Sequence, residues 1–183
     1  MSMMPMAPAL DLRAAVKFWT QIMVDRMSAD RRSALMARIR GKDTLPERAV
    51  RRHLWRAGFR YRLHPNGLVG KPDIVLPKWG AVVFVHGCFW HRHDECRYFR
   101  LPKTRAGFWD AKLRRNQERD VSAMRTLVGT GWRLAVVWEC ALRRDASRTG
   151  ELLVTWIRTN GGSIEIEEAG SEVRSRQLIV LDR

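Results

Sequence analysis

Ala81-Val82-Val83-Phe84-Val85 is apolar on both faces and follows the turn residue Gly80, so it reads as a strand in the middle of a sheet rather than at its edge. Leu134-Ala135-Val136-Val137-Trp138 reads the same way. Between them Trp109, Leu113, Val121, Met124 and Val128 fall on one face of a helix that Gly129 and Gly131 end. Two buried strands joined by a helix mark a crossover that leaves the strands parallel. Upstream, Thr44-Leu45-Pro46-Glu47 has the form of a capping box, and Val50, Leu54 and Ala57 extend an apolar stripe that Gly58 stops. Phe59, Tyr61 and Leu63 then alternate as a strand, Asn66-Gly67 marks a turn, and Pro72-Asp73-Ile74-Val75-Leu76 predicts a second strand. The order helix, three strands, helix, strand predicts an α/β protein with a mixed sheet flanked by helices. Leu152 to Ile157 suggests one more short helix, and Gly161-Gly162 opens a tail whose strand content the pattern leaves open.

The chain has 183 residues, 45% of them apolar and eight of them Trp, enough for one core and too few for several. Residues 146–183 are expected to pack on the same domain as residues 27–145. Lys and Arg exceed Asp and Glu by 34 − 19 = 15, a surplus that attracts phosphates and makes a nucleic acid the default partner. The charge is concentrated early: eleven Arg or Lys stand between Arg31 and Arg62 against only Asp43 and Glu47, with Met36 and Ile39 among them. That run is either a solvated helix face or a segment lying along a groove. No apolar run approaches the roughly 20 residues of a membrane span. Three cysteines cannot pair off completely and no signal sequence is convincing, so a reducing cytoplasm is the expected compartment. Residues 1–26 read either as a weak amphipathic helix through Leu12, Val16, Trp19 and Met23 or as a dispensable extension ahead of Met27.

His86-Gly87-Cys88-Phe89-Trp90-His91-Arg92-His93-Asp94-Glu95-Cys96 places three His and two Cys in eleven positions, and Cys140 follows the fourth predicted strand. Taken singly, each Cys is more often a small buried hydrophobe and each His a satisfied polar group. Jointly, Cys88, His93, Cys96 and Cys140 match a closed, tetrahedral, structural Zn2+ site, with Cys140 arriving from the neighbouring strand end. A saturated site holds a loop in shape and leaves catalysis to other groups. His86 and His91 stay unligated beside it, and Asp73 in Gly70-Lys71-Pro72-Asp73 is either a turn residue or the carboxylate that a Mg2+ ion seeks. Phe89, Trp90 and Trp109, near Lys103 and Arg105, are either core aromatics or a wedge that inserts between base pairs.

Over roughly Met27 to Arg144 the chain resembles the very-short-patch repair (Vsr) DNA mismatch endonucleases. The residues that carry the likeness are Met36-Ala37-Arg38-Ile39, Lys42-Asp43-Thr44 with Glu47, Gly70-Lys71-Pro72-Asp73 and Val85-His86-Gly87-Cys88-Phe89-Trp90-His91. Pro102-Lys103-Thr104-Arg105 with Phe108-Trp109, Asn116 with Glu118-Arg119-Asp120, and Trp138-Glu139-Cys140-Ala141-Leu142 complete it. The resemblance implies a restriction-endonuclease-like fold and a Mg2+-dependent nick on the 5′ side of the T in a T:G mismatch left by 5-methylcytosine deamination. It implies that Asp73 and the Val85 carbonyl hold Mg2+, that His86 and His91 manage protons around the attacking water, and that Glu47 supports the site through solvent. Cys88, His93, Cys96 and Cys140 would hold zinc, with His91 the alternative ligand. Phe89, Trp90 and Trp109 would form the wedge, and Met36, Lys112 and Asn116 fall where the family reads flanking base pairs. Implied partners are double-stranded DNA with a T:G mismatch, acted on by a monomer, and functional links to a cytosine-5 methyltransferase and repair proteins.

Capping alone accounts for Glu47, and Val85 stands where the wider nuclease fold has an acidic residue, so only its carbonyl is on offer. A non-catalytic, zinc-stabilised DNA-binding module is the alternative from another class, and a zinc hydrolase or deaminase is a third. Intact Asp73, His86 and His91 favour the nuclease.

Overall fold

The computed structural model describes residues 41–178 and residue 180. Helix α1 (Leu45–Arg56) starts on the expected capping box: the Thr44 hydroxyl accepts from the Glu47 N–H, while the Glu47 carboxylate accepts from the Thr44 N–H. Gly58, at φ +87°, turns the chain away from it. Then come β1 (Arg62–Leu63), β2 (Ile74–Leu76), a 3-10 turn at Pro77–Trp79 and β3 (Ala81–His86). α2 (Ala106–Gly129), β4 (Arg133–Trp138), α3 (Glu139–Arg144), α4 (Ala146–Thr159), β5 (Ile164–Ala169) and β6 (Glu172–Gln177) complete the described chain. The six strands form one mixed sheet in sequence order: β1, β2 and β3 are antiparallel neighbours, β3, β4 and β5 are parallel, and β6 runs antiparallel to β5. Among the described residues no helix is long and apolar enough to cross a membrane.

Alternation along the central strands splits the core in two. Ala81, Val83, Ala135 and Val137 face one side, where Val50 and Leu54 of α1, Ala141 and Leu142 of α3, and Leu153, Trp156 and Ile157 of α4 cover them. Val82, Phe84, Leu134, Val136 and Trp138 face the other, against Met124 and Leu127 of α2 and the side chains of Cys88 and Cys140. The apolar run at Ala81 thus marks a strand covered on both faces, as expected.

Four expectations are corrected in detail. Regular pairing of the first strand is confined to Arg62–Leu63, so Phe59 and Tyr61 lie before it and pack on the core from the chain that leaves α1. The second strand starts at Ile74, leaving Pro72 and Asp73 at its mouth. On α2 the inward positions are Leu113, Ala123, Met124 and Leu127, whereas Val121 and Val128 are exposed, because at about 100° per residue they fall roughly a quarter-turn to the side of that face. The last helix spans Ala146–Thr159 on an Asp145 cap, longer than Leu152 to Ile157, and the tail forms the β5–β6 hairpin.

The loop from β1 to β2 is fixed at Gly70, whose φ is +73° and whose missing side chain leaves room for α2. A Cβ there would stand 2.6 Å from the Ala123 Cβ and 3.5 Å from the Phe84 ring. Gly70→Ala is therefore expected to destabilise the fold by about 1–3 kcal/mol through overpacking and backbone strain. Denaturant unfolding checks this, and an unchanged midpoint would show that the turn yields freely.

Candidate active site and metal centre

The parallel pairing of β3 with β4 sets His86 opposite Trp138 at the strand ends. Cys88 and Cys140 each follow two residues later and meet beyond the rim. Between them the chain from Gly87 turns tightly: the His91 N–H bonds the Gly87 carbonyl, His93 bonds Cys88, and Cys96 bonds His93. The ligand atoms of Cys88, His93, Cys96 and Cys140 consequently lie within 4.8 Å of one another, with Cys88, His93 and Cys140 buried. His93 Nδ1 is 3.6 Å from the Cys140 sulfur. Crowded together, the thiols cannot all keep their ordinary acidity: the neighbouring sulfurs push the Cys88 thiol up and the Cys96 thiol down. Three sulfurs and one nitrogen converging in a buried pocket fit a tetrahedral zinc ion. His91, the alternative ligand, lies elsewhere.

His91 stacks on His86, ring centroids 3.7 Å apart and nearly parallel, and its Nδ1 lies 2.6 Å from an Asp120 carboxylate oxygen. His86 is 4% exposed; burial, then the neighbouring His91 and His93, hold its pKa well below the usual 6.5, so it is neutral at physiological pH. Asp73 sits at the mouth of β2, where one carboxylate oxygen accepts the Val85 N–H at 2.7 Å. Burial is the main cause that pushes its pKa up to about 6, assisted by Glu47 and opposed by the Val85 N–H, His91 and Arg51. A half-buried carboxylate that is reluctant to ionise, next to the Val85 peptide, fits an oxygen-seeking cation such as Mg2+.

Two further side chains close this pocket. The hairpin register that pairs Leu63 with Ile74 brings His64 against Asp73, with its Nδ1 3.9 Å from an Asp73 oxygen. Glu47, 3% exposed, does more than cap α1: it pairs with Arg51 at 2.7 Å and stands 3.7 Å from His64 Nε2. Asp43, Glu47 and His64 also cluster closely enough for an ion, but Arg51 already bridges Asp43 and Glu47. The sequence pattern marked neither His64 nor Arg51. Asp120 stood in a quoted motif without a role; its position on the α2 face turned to the loop was the available signal.

Phe89, Trp90 and Trp109 form one half-buried cluster with centroids 5.1–6.2 Å apart, and Phe108 extends it at 5.5 Å from Trp109. The Lys112 ammonium lies over Trp90 and Trp109 at 5.7 and 5.2 Å. Asn116 donates to the Trp90 carbonyl at 3.1 Å and accepts from Arg119, so its amide is engaged with the loop. Lys112, Arg115, Asn116, Glu118, Arg119 and Ser122 line an open depression of about 570 Å3 along α2. Met36 lies outside the described residues, as does the extension of residues 1–26.

A carboxylate, paired imidazoles and a thiol-rich pocket on one rim of an α/β sheet, in a chain this basic, describe a hydrolase of nucleic acid. The profile of DNA mismatch endonuclease Vsr matches residues 24–97. The type II nicking enzyme V.XorIIP of Xanthomonas oryzae pv. oryzae is 50% identical over 120 residues, 66% of this chain and 88% of that protein. DNA mismatch endonuclease Vsr of Escherichia coli is 39% identical over 143 residues, 76% of this chain and 91% of that protein. The type II nicking enzyme V.NmeAIP of Neisseria meningitidis is 44% identical over 124 residues, 68% of this chain and 88% of that protein. The chain belongs to the Vsr family and is a DNA endonuclease.

The raised pKa of Asp73 makes a stability prediction. Below pH 4 the carboxyl is protonated both folded and unfolded and costs nothing. Between pH 4 and about 6 the unfolded chain ionises first, so the folded state loses stability as pH rises, and the loss is complete above 6. In chelator at pH 7.5, Asp73→Asn should be more stable than the parent by on the order of 2 kcal/mol, an advantage that shrinks towards pH 4. Melting curves across that range check it, and a pH-independent difference would sink the burial account.

Proposed function

We propose that this endonuclease nicks one strand of duplex DNA on the 5′ side of the T in a T:G mismatch and so begins very-short-patch repair. The observation that carries the reading is the meeting, at one rim, of Asp73 and the His86–His91 stack with the aromatic cluster of Phe89, Trp90 and Trp109. Names of the relatives support both halves, since one is a mismatch endonuclease and others are nicking enzymes. A mismatched step unstacks at lower cost than a paired one, so insertion of aromatic rings favours the mismatch.

Asp73 and the Val85 carbonyl would hold Mg2+, which when bound neutralises the scissile phosphate and the charge developing on the leaving oxygen. Zn2+ on Cys88, His93, Cys96 and Cys140 would have a shape-keeping role, with no open position. Asp120 accepts the Nδ1–H of His91 and thereby leaves Nε2 free to exchange a proton with the attacking water. His86, neutral and buried, backs that ring and keeps its plane. Glu47 and His64 border Asp73 and complete a polar wall that can order solvent. Lys112 and Asn116 lie where α2 borders the wedge and the groove, suited to reading or bracing the base pairs beside the mismatch; Met36 is proposed for the same task. Such mismatches arise where a cytosine-5 methyltransferase acts, so that enzyme is the proposed functional companion, with repair proteins completing the patch. One protein copy carries every residue of the site, consistent with action as a monomer.

Asp73→Ala should abolish Mg2+-dependent nicking of a T:G duplex while gel-shift binding survives, and His91→Ala should slow nicking about 100-fold or more. Mapped 5′ ends from duplexes with T:G in varied contexts, with and without EDTA, check both. Retained cleavage by Asp73→Ala would remove Asp73 from the chemistry; equal cleavage of fully paired duplex would remove the mismatch.

A further inference from the structure

The β5–β6 hairpin lies outside residues 24–97, yet it reaches the metal centre. Glu165 and Glu167, two apart on β5, project from the same face. Glu165 accepts the Trp138 indole N–H at 3.0 Å, and Glu167 lies 3.0 Å from His93 Nε2. The two rings so held are stacked on each other, with centroids 4.0 Å apart and planes 5° apart. The Glu168 N–H points at the Cys140 sulfur from 3.4 Å. On the other side of the carboxylates, Arg176 bridges Glu165 at 2.7 Å and Glu167 at 3.2 Å, and Arg174 reaches Glu167 at 3.4 Å. Glu167 is 6% exposed: the two arginines compensate its charge from one side, and one of its oxygens is turned to His93.

We propose that Glu167 is a positioning residue of the zinc centre: it accepts the Nε2–H of His93, fixes the tautomer that presents Nδ1 to the metal, and makes that imidazole a better donor. Sequence order hides the link, because the two residues are 74 positions apart. A carboxylate behind a metal-bound histidine orients the ring and commonly contributes 10- to 100-fold to affinity. Here the carboxylate comes from the C-terminal hairpin, so the hairpin clips the loop that carries Phe89, Trp90 and His91. Trp138 passes that restraint on, with one face against His93 and its ring against His86 at 5.3 Å.

This inference rests on the zinc reading, and the experiment separates the two. Full-length parent, Glu167→Gln, Glu167→Ala and the exposed hairpin control Glu172→Gln are compared for zinc content, for zinc release to a coloured chelator, and for the absorption of the cobalt-substituted protein. The expected result is one zinc per parent chain, release at least about 10-fold faster from Glu167→Ala, a smaller acceleration with shifted cobalt bands for Glu167→Gln, and no change for Glu172→Gln. Should Glu167→Ala fail to fold, the nearly isosteric Glu167→Gln carries the test. Parental release rates and cobalt spectra in the Glu167 variants would overturn the inference while leaving the zinc centre intact. A parent chain that takes up neither zinc nor cobalt would overturn the metal centre itself.

Discussion

The in-register parallel pairing of β3 with β4 is the constraint on which the rest of the site depends. It sets His86 against Trp138, and two residues farther along it delivers Cys88 and Cys140 to the same point beyond the sheet. A shift of one residue would turn His86 to the opposite face, away from α2, and would separate the two thiols. Burial enforces the register: Val82, Phe84, Leu134 and Val136 all face α2, and Val83, Ala135 and Val137 all face α1, α3 and α4. The packing of apolar side chains thus determines where the polar chemistry sits.

Electrostatics at this rim runs against the character of the molecule. A chain with a surplus of 15 positive charges keeps Asp73, Glu47, Asp120 and Glu167 beside the histidines of this rim. The surplus suits a phosphate backbone, while the acids hold imidazoles and Arg51 at close range. Burial makes Asp73 reluctant to ionise and His86 reluctant to protonate, so both are held in a state that ligand or substrate can change. Such a pocket is stable only because the sheet and helices around it are not free to relax.

The legible parts of the sequence were those whose cause is local. The capping box at Thr44, the stop at Gly58, the twin apolar strands and the spacing of Cys88, His93 and Cys96 each express a short-range rule, and each stands in the structure. The family motif also brought Asp73, His86 and His91 to attention, and the fold places them around one rim. What escaped depends on tertiary pairing. His64 gains its place only through the hairpin register with Asp73, Asp120 only through the angle at which α2 crosses the loop, and Glu167 only through a sheet order spanning the whole domain. The charged β5–β6 hairpin was opaque for a related reason: Ile-Glu-Ile-Glu-Glu carries acids at inward positions because His93, Trp138 and Arg176 satisfy them there. Val121 and Val128 misled in the opposite sense, since an apolar stripe wider than the contact leaves its edge residues exposed beside Ala123, Met124 and Leu127.

The stretch from Gly87 to Arg105 is a loop whose shape is held largely from outside itself. It contains no strand and no α-helix, and Arg92, Glu95 and Arg105 adopt positive φ without being glycine. Ordering each such residue costs about 1–2 kcal/mol of backbone entropy, and short hydrogen-bonded turns return only part of it. The remaining restraint is supplied from outside the loop: Asp110 of α2 holds Arg92 at 2.5 Å, Asn116 holds the Trp90 carbonyl, Asp120 holds His91, and Cys140 and Glu167 hold the far side through His93. Helix α2 therefore grips the edge of the loop that carries the rings and His91, while the β4–β5 side grips the thiol-rich edge. On the proposed reading, rings inserted between stacked bases must offset an unstacking cost of a few kcal/mol, and a loop held from one side only would deform instead. Anchorage from both sides suits the loop to the proposed task of unstacking DNA without deforming itself.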